Sequence, residues 1–283
     1  MKMSFSIPTP LSYFSNLVMS DVEFPLLEAA ISLAQDDYPE LDVQQVLSQV
    51  DHLLARVKRR IPADAGSLQK LRSLNQFFYR DLGFCGNVND YYDPDNSFIN
   101  VVLVTRRAIP ISLAVVWMEL AQGLGLSARG VGFPGHFMMK VNLSEGQVVM
   151  DPLDGQSLSR ENLAERLDPY RRRTGLADEF EAPVGLYLQE TRPRDIIARM
   201  LRNLKDIYSS QEDWPRLIAV QNRLLILLPQ SWPDYRDRGL AHAQQGGTAL
   251  AVADLDTYLQ HVDNAVDLQA IAMRVEELRR ATN

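Results

Sequence analysis

Thiol chemistry is nearly absent from this 283-residue chain, which holds one cysteine, Cys85. A single thiol excludes an intramolecular disulfide framework and fits a reducing compartment. Histidine is scarce too. The four present show no His-x-x-x-His or Glu-x-x-His spacing and no Cys-x-x-Cys accompanies them, so no zinc site and no cofactor are expected. No window approaches the roughly 18 uninterrupted apolar residues of a membrane helix. The first twenty residues lack the continuous apolar run of a signal peptide, so the expected location is the cytoplasm, with no membrane partner. Excess positive charge is also missing: the net charge of −7 opposes nonspecific attraction to phosphate, and no nucleic-acid partner is expected. The basic runs at 56–60 and 171–173 are not interleaved with aromatics as a single-strand platform requires. They read as solvated helix ends, where basic side chains complement the C-terminal dipole.

What is present is ordinary globular material, 46% hydrophobic and 23% charged, at a length that predicts two domains. Leu26, Ala29, Ala30 and Leu33 fall at i, i+3, i+4 and i+7 of a helix over 25–34. Asp42 is placed to cap the next helix, whose stripe of Val43, Val46, Leu47, Val50, Leu53 and Leu54 runs toward Pro62. Ser67 opens a third helix, and Gly83 ends it. The acidic loop 90–96 lacks the spacing and glycine of a calcium hand, so its Asp and Asn side chains are expected to close turns on their own backbone. Asn96 or Ser97 is then placed to cap a short helix. After a helix over 111–124, strands are predicted over 128–133, 136–143 and 147–150, the last two joined by a turn at Ser144-Glu145-Gly146. Helices segregated onto an antiparallel sheet make the fold class α+β.

From about Pro193 the chain reads as helical again. Gly239, Gly246, Ala251 and Leu255, with Tyr235 before them and Pro229 closing the preceding unit, have the separations of a tetratricopeptide repeat. Small residues there let paired helices approach closely. Too few clear repeats are present for a free-standing solenoid, so these helices are expected to pack against the first domain. The charged run Arg236-Asp237-Arg238 is expected either to face a partner or to tie the repeat to the preceding domain.

Three groups of residues carry a family resemblance. Gly125-Leu126-Ser127-Ala128-Arg129, His136-Phe137 and Asp151-Pro152, in that order, resemble the transglutaminase-like superfamily. The run from Gly86 to Ser97, the Ile109-Pro110-Ile111-Ser112-Leu113 helix start and the Gly132-to-Phe137 turn also resemble the bacterial SirB-type family. The resemblance implies a helix-rich, cysteine-protease-like domain with a small antiparallel sheet over 1–190. An all-α tetratricopeptide-like tail over 191–283 is implied to follow it.

The same resemblance implies a catalytic cysteine at the start of the central helix, a histidine base and an orienting aspartate. His136 and Asp151 match the last two. The cysteine position, counted back from Gly125, is Pro110. Ser112 lies two residues out of register, about 200° round a helix that turns about 100° per residue. Cys85 follows a helix in a glycine-rich turn without the cationic neighbour that stabilises a thiolate. Two functions follow. The favoured one is a noncatalytic regulatory or adaptor protein that binds a protein or peptide through the helical tail and the groove near His136. The alternative is a hydrolase or acyl transferase in which Ser112 or Cys85 has become the nucleophile of the His136–Asp151 pair.

Overall fold

A computed structural model describes residues 8–174 and 183–281. They divide into two compact units, and the division does not follow chain order: residues up to Phe24, Gln35–Glu40 and those from Ile197 on form one, Pro25–Ala34 and Leu41–Ile196 the other.

The second of these is built round a single buried helix. Before it come α2 (Leu26–Ser32), α3 (Val43–Lys58), α4 (Ser67–Asn75) and α5 (Ile99–Thr105), with the two-residue strands β1 (Cys85–Gly86) and β2 (Arg107–Ala108), while α1 (Pro10–Leu17) belongs to the other unit. The central helix, α6 (Pro110–Gly123), is apolar round most of its surface, with Glu119 and Gln122 on its one partly open edge. A helix of that composition offers little solvent face and must be largely enclosed. It is enclosed by α2, α3, α4, α5 and the sheet, and Pro110 to Met118 are all buried. Pro110 starts it as expected, since the amide hydrogen that proline lacks would be unpaired in a first turn anyway. Fully buried Trp117 gives its indole N–H to Asn75 Oδ1 at 3.0 Å, so its one polar atom is satisfied.

The sequence-based helices are present with shifted edges. Asp42 caps α3 by accepting from the Gln45 amide. Ser67 opens α4, with Gly66 at its cap, and the helix widens into π-helical turns over Gln76–Asp81 before Gly83 (φ 73°) turns the chain. Asn96 does not cap α5. Its side chain is turned back into the loop, donating to the Asp90 carbonyl at 2.6 Å and accepting from Asn87 at 2.9 Å, and Phe98 takes the cap position. The three long strands are β3 (Ser127–Val131), β4 (Met138–Leu143) and β5 (Gly146–Met150), an antiparallel sheet in the order β3-β4-β5. Leu143 pairs with Gly146, leaving Ser144 and Glu145 as the predicted hairpin turn. α7 (Arg160–Thr174) closes this side.

The other unit is all helix: α8 (Pro193–Ser210) from Ile197 on, α9 (Trp214–Leu227), α10 (Trp232–Gln244), α11 (Thr248–His261) and α12 (Leu268–Ala281). Gly239 is where α10 and α11 touch most closely: a Cβ there would lie 2.8 Å from Leu255 Cγ and 3.1 Å from the Ala251 carbonyl. The repeat's small residue is therefore dictated by packing. Arg236, Asp237 and Arg238 find ion-pair partners within this unit. Arg238 forms a two-pronged pair with Asp254 at 2.7 Å and reaches Asn222, while Arg236 pairs with Asp237 and Asp267, all inside this unit. The helices also draw on the start of the chain. Phe14 of α1 is fully buried beneath the Arg223 guanidinium, and Asp36 and Asp37 pair with Arg223 and Arg216.

Candidate functional site

His136 sits on the connection between β3 and β4. Val131 pairs with Met138, so the chain must reverse within the intervening residues, and Gly135 supplies the left-handed conformation this needs (φ 71°). His136 therefore lies two residues before β4 and not at its first position, its amide bonded to the Phe133 carbonyl at 3.1 Å. Met139 pairs with Met150, so Asp151, emerging from the end of β5, arrives beside the residues leading into β4. The hairpin register thus joins two residues far apart in sequence: His136 Nε2 lies 3.0 Å from Asp151 Oδ1.

Every lone-pair direction of Asp151 that matters is used. Oδ1 also accepts the Leu153 amide at 3.0 Å, and Oδ2 accepts from Arg166 Nη1 of α7 at 2.8 Å. Burial alone would raise this carboxyl. The bonds from His136, the Leu153 amide and Arg166 outweigh burial and hold its pKa down to about 2. Asp151 is thus a fixed anion that orients the imidazole through Nε2. The loop after it is tied to the fold's centre. Asn75, already bonded to Trp117, donates to the Gly155 carbonyl at 3.3 Å, and the Tyr79 hydroxyl donates to the Pro152 carbonyl at 3.1 Å. Burial, with the charges of Asp151 and Asp154 added, pushes the Tyr79 hydroxyl well above its ordinary value, so it stays a neutral donor.

The two candidate nucleophiles fare differently. Ser112 is fully buried in the first turns of α6, and its hydroxyl has no partner among the described residues. Cys85 is half-buried on β1, its thiol 3.4 Å from the Gly83 carbonyl. Its strand, however, reaches the site's border: Leu153 packs on Gly86 so closely that a Cβ there would lie 2.6 Å from Leu153 Cδ2. Sequence reasoning missed Arg166 and Tyr79. Neither carries a local signal, since each meets Asp151 or its loop only through tertiary packing.

His136 opens onto a cavity of about 470 Å³, walled by Phe133, Pro134, Arg166, Tyr170 and Arg173. Among the described residues no group of three or more His, Cys, Asp or Glu side chains is placed to hold a metal, and no helix is long and apolar enough to cross a membrane.

Comparison with known proteins agrees with both units. Residues 44–202 match the family model described as the transglutaminase-like superfamily, and residues 204–276 match the tetratricopeptide repeat. A UPF0162 protein of Xylella fastidiosa is 36% identical over 252 residues, covering 88% of this chain and 89% of that one. UPF0162 proteins of Vibrio cholerae and Pseudomonas aeruginosa are 25% identical over 254 residues and 26% identical over 258 residues. No solved structure matches.

Proposed function

The chain belongs to the transglutaminase-like superfamily and, within it, to the SirB-type UPF0162 family, and we propose from the residue at its nucleophile position that it acts as a noncatalytic adaptor. The supporting observation is Pro110: the first turn of α6, where the resemblance puts the thiol, holds a residue with no nucleophilic atom. Ser112 cannot serve without leaving a fully buried position. On this reading the His136–Asp151–Arg166 cluster is retained because it closes a polar network. The tetratricopeptide helices carry the binding of a protein partner, and the cavity beside His136 contributes to it. A cytoplasmic location fits this role.

The alternative, hydrolysis or acyl transfer, is favoured by one observation, the contact of β1 with the Asp151 loop through Gly86 and Leu153. That contact makes Cys85 the better relocated nucleophile. The test is turnover of p-nitrophenyl esters and of glutaminyl peptides by the full chain, compared with His136→Ala and Cys85→Ala. The adaptor reading expects no turnover that either substitution removes. Activity abolished by both, with circular dichroism unchanged, would replace it with a Cys85 enzyme. Its positive arm is retention of a defined partner that Leu240→Asp on α10 releases and His136→Ala at most weakens.

A further inference from the structure

One buried carboxamide of the helical unit has no hydrogen-bond partner among the described residues. It belongs to Gln221 of α9, which is fully buried with both Oε1 and Nε2 unmet there. A carboxamide presents an acceptor and two donors, and leaving such groups unmet inside a fold is destabilising. An apolar residue of the same size would avoid that cost. Gln221 forms part of the wall of a cavity of about 310 Å³. Trp214, Leu217 and Gln221 share one face of α9 at i, i+3 and i+7. Opposite them, Asp237, Leu240, Ala241 and Gln244 share one face of α10 at i, i+3, i+4 and i+7.

The cavity's charge is already spent. Lys205 of α8 lies 2.5 Å from Asp234 and 2.6 Å from Asp237, so its ammonium is doubly paired and not available to an incoming carboxylate. What remains is an apolar wall of Trp214, Leu217 and Leu240, with the neutral, buried carboxamide of Gln221 among the lining residues. The terminal torsion of Gln is broad, so the carboxamide plane can tilt to meet an incoming group, and its two-fold character lets Oε1 and Nε2 exchange places.

We infer that this cavity binds a neutral amide group flanked by an aliphatic chain, with the Gln221 carboxamide pairing to it by one donated and one accepted hydrogen bond. The ligand class rests on the adaptor reading, because a polypeptide partner supplies such amides. They come either from its extended backbone or from an Asn or Gln side chain.

The test uses the full chain labelled with ¹⁵N. The Gln221 side-chain NH2 pair is identified as the signal missing from Gln221→Leu. N-acetyl-leucine N-methylamide carries backbone amides only, 4-methylpentanamide a primary carboxamide only, and methyl 4-methylpentanoate, with no N–H, is the control. Saturable movement of the Gln221 pair by an amide but not by the ester is the expected result, and the amide that acts identifies the source. Gln221→Leu should abolish the probe's effect on the Trp214 indole signal while Tm stays level or rises. No movement with either amide at tens of millimolar overturns the inference. So does a Tm lowered by several degrees in Gln221→Leu, which would mean the carboxamide is satisfied inside the fold by a trapped water. If the amides fail while the defined partner is still retained, only this subsite falls. Binding of an amide without any partner leaves the subsite and removes the adaptor reading.

Discussion

The polar clusters of the two units differ in how completely they are satisfied. Round Asp151, two carboxylate oxygens meet an imidazole, a backbone amide and a guanidinium, and the loop beyond is tied to Asn75 and Tyr79. Round Gln221, a buried carboxamide meets nothing among the described residues. A closed network stabilises one arrangement of its own chain, while an open one is costly until something outside completes it. The cluster with the look of chemistry is therefore the self-sufficient one, and the cluster with no catalytic residue type is the one built for an encounter.

Four experiments test that contrast. The largest effect is expected from cutting the helical unit away from the start of the chain. A fragment beginning at Pro193 loses Phe14 and the Asp36 and Asp37 partners of Arg223 and Arg216, so it should show no cooperative thermal transition by circular dichroism. A sharp melt of the fragment would show that α9 needs none of them. Next is Trp117→Ala, which opens a cavity in a fully buried helix and frees Asn75, and should cost about 3–5 kcal/mol in urea unfolding.

Asp151→Ala should cost less, and its cost should depend on pH. The folded pKa of about 2 lies below the ordinary 3.8, so the linked stability is fully present above about pH 4 and is lost as pH falls toward 2. That shift corresponds to about 2 kcal/mol, at about 1.4 kcal/mol per pH unit. Measured from pH 7 down to pH 2, the difference between wild type and variant should shrink by this amount. A difference that stays constant with pH would mean the carboxylate is not held by its partners. The smallest effect separates two arginines of the helical unit. Arg274, whose i,i+3 partner Glu277 is exposed, should be replaceable by Gln at under about 1 kcal/mol. Arg238→Gln gives up a paired interaction with buried Asp254 and should cost visibly more in the same melts. Equal costs would show that Arg238 is a surface ion pair like any other.

Sequence periodicity and capping were enough for α3, for α6 with Pro110 at its start, and for the β4–β5 hairpin, because each depends on side chains within a few residues of one another. The pairing of His136 with Asp151 was legible through the family pattern, and the hairpin register supplies its physical reason. Asn96 as a helix cap was not borne out, since a short polar side chain competes equally well for nearby carbonyls, and here the loop holds it. What needed the folded chain lies across larger distances. Arg166 and Tyr79 meet the Asp151 loop from other elements, and Arg236 and Arg238 of α10 find partners at Asp267 and at Asp254 of α11. The open carboxamide of Gln221 belongs with them. A side chain's local neighbours are written in the chain, but whether its hydrogen-bonding groups are met is settled only by what packing brings against it from elsewhere.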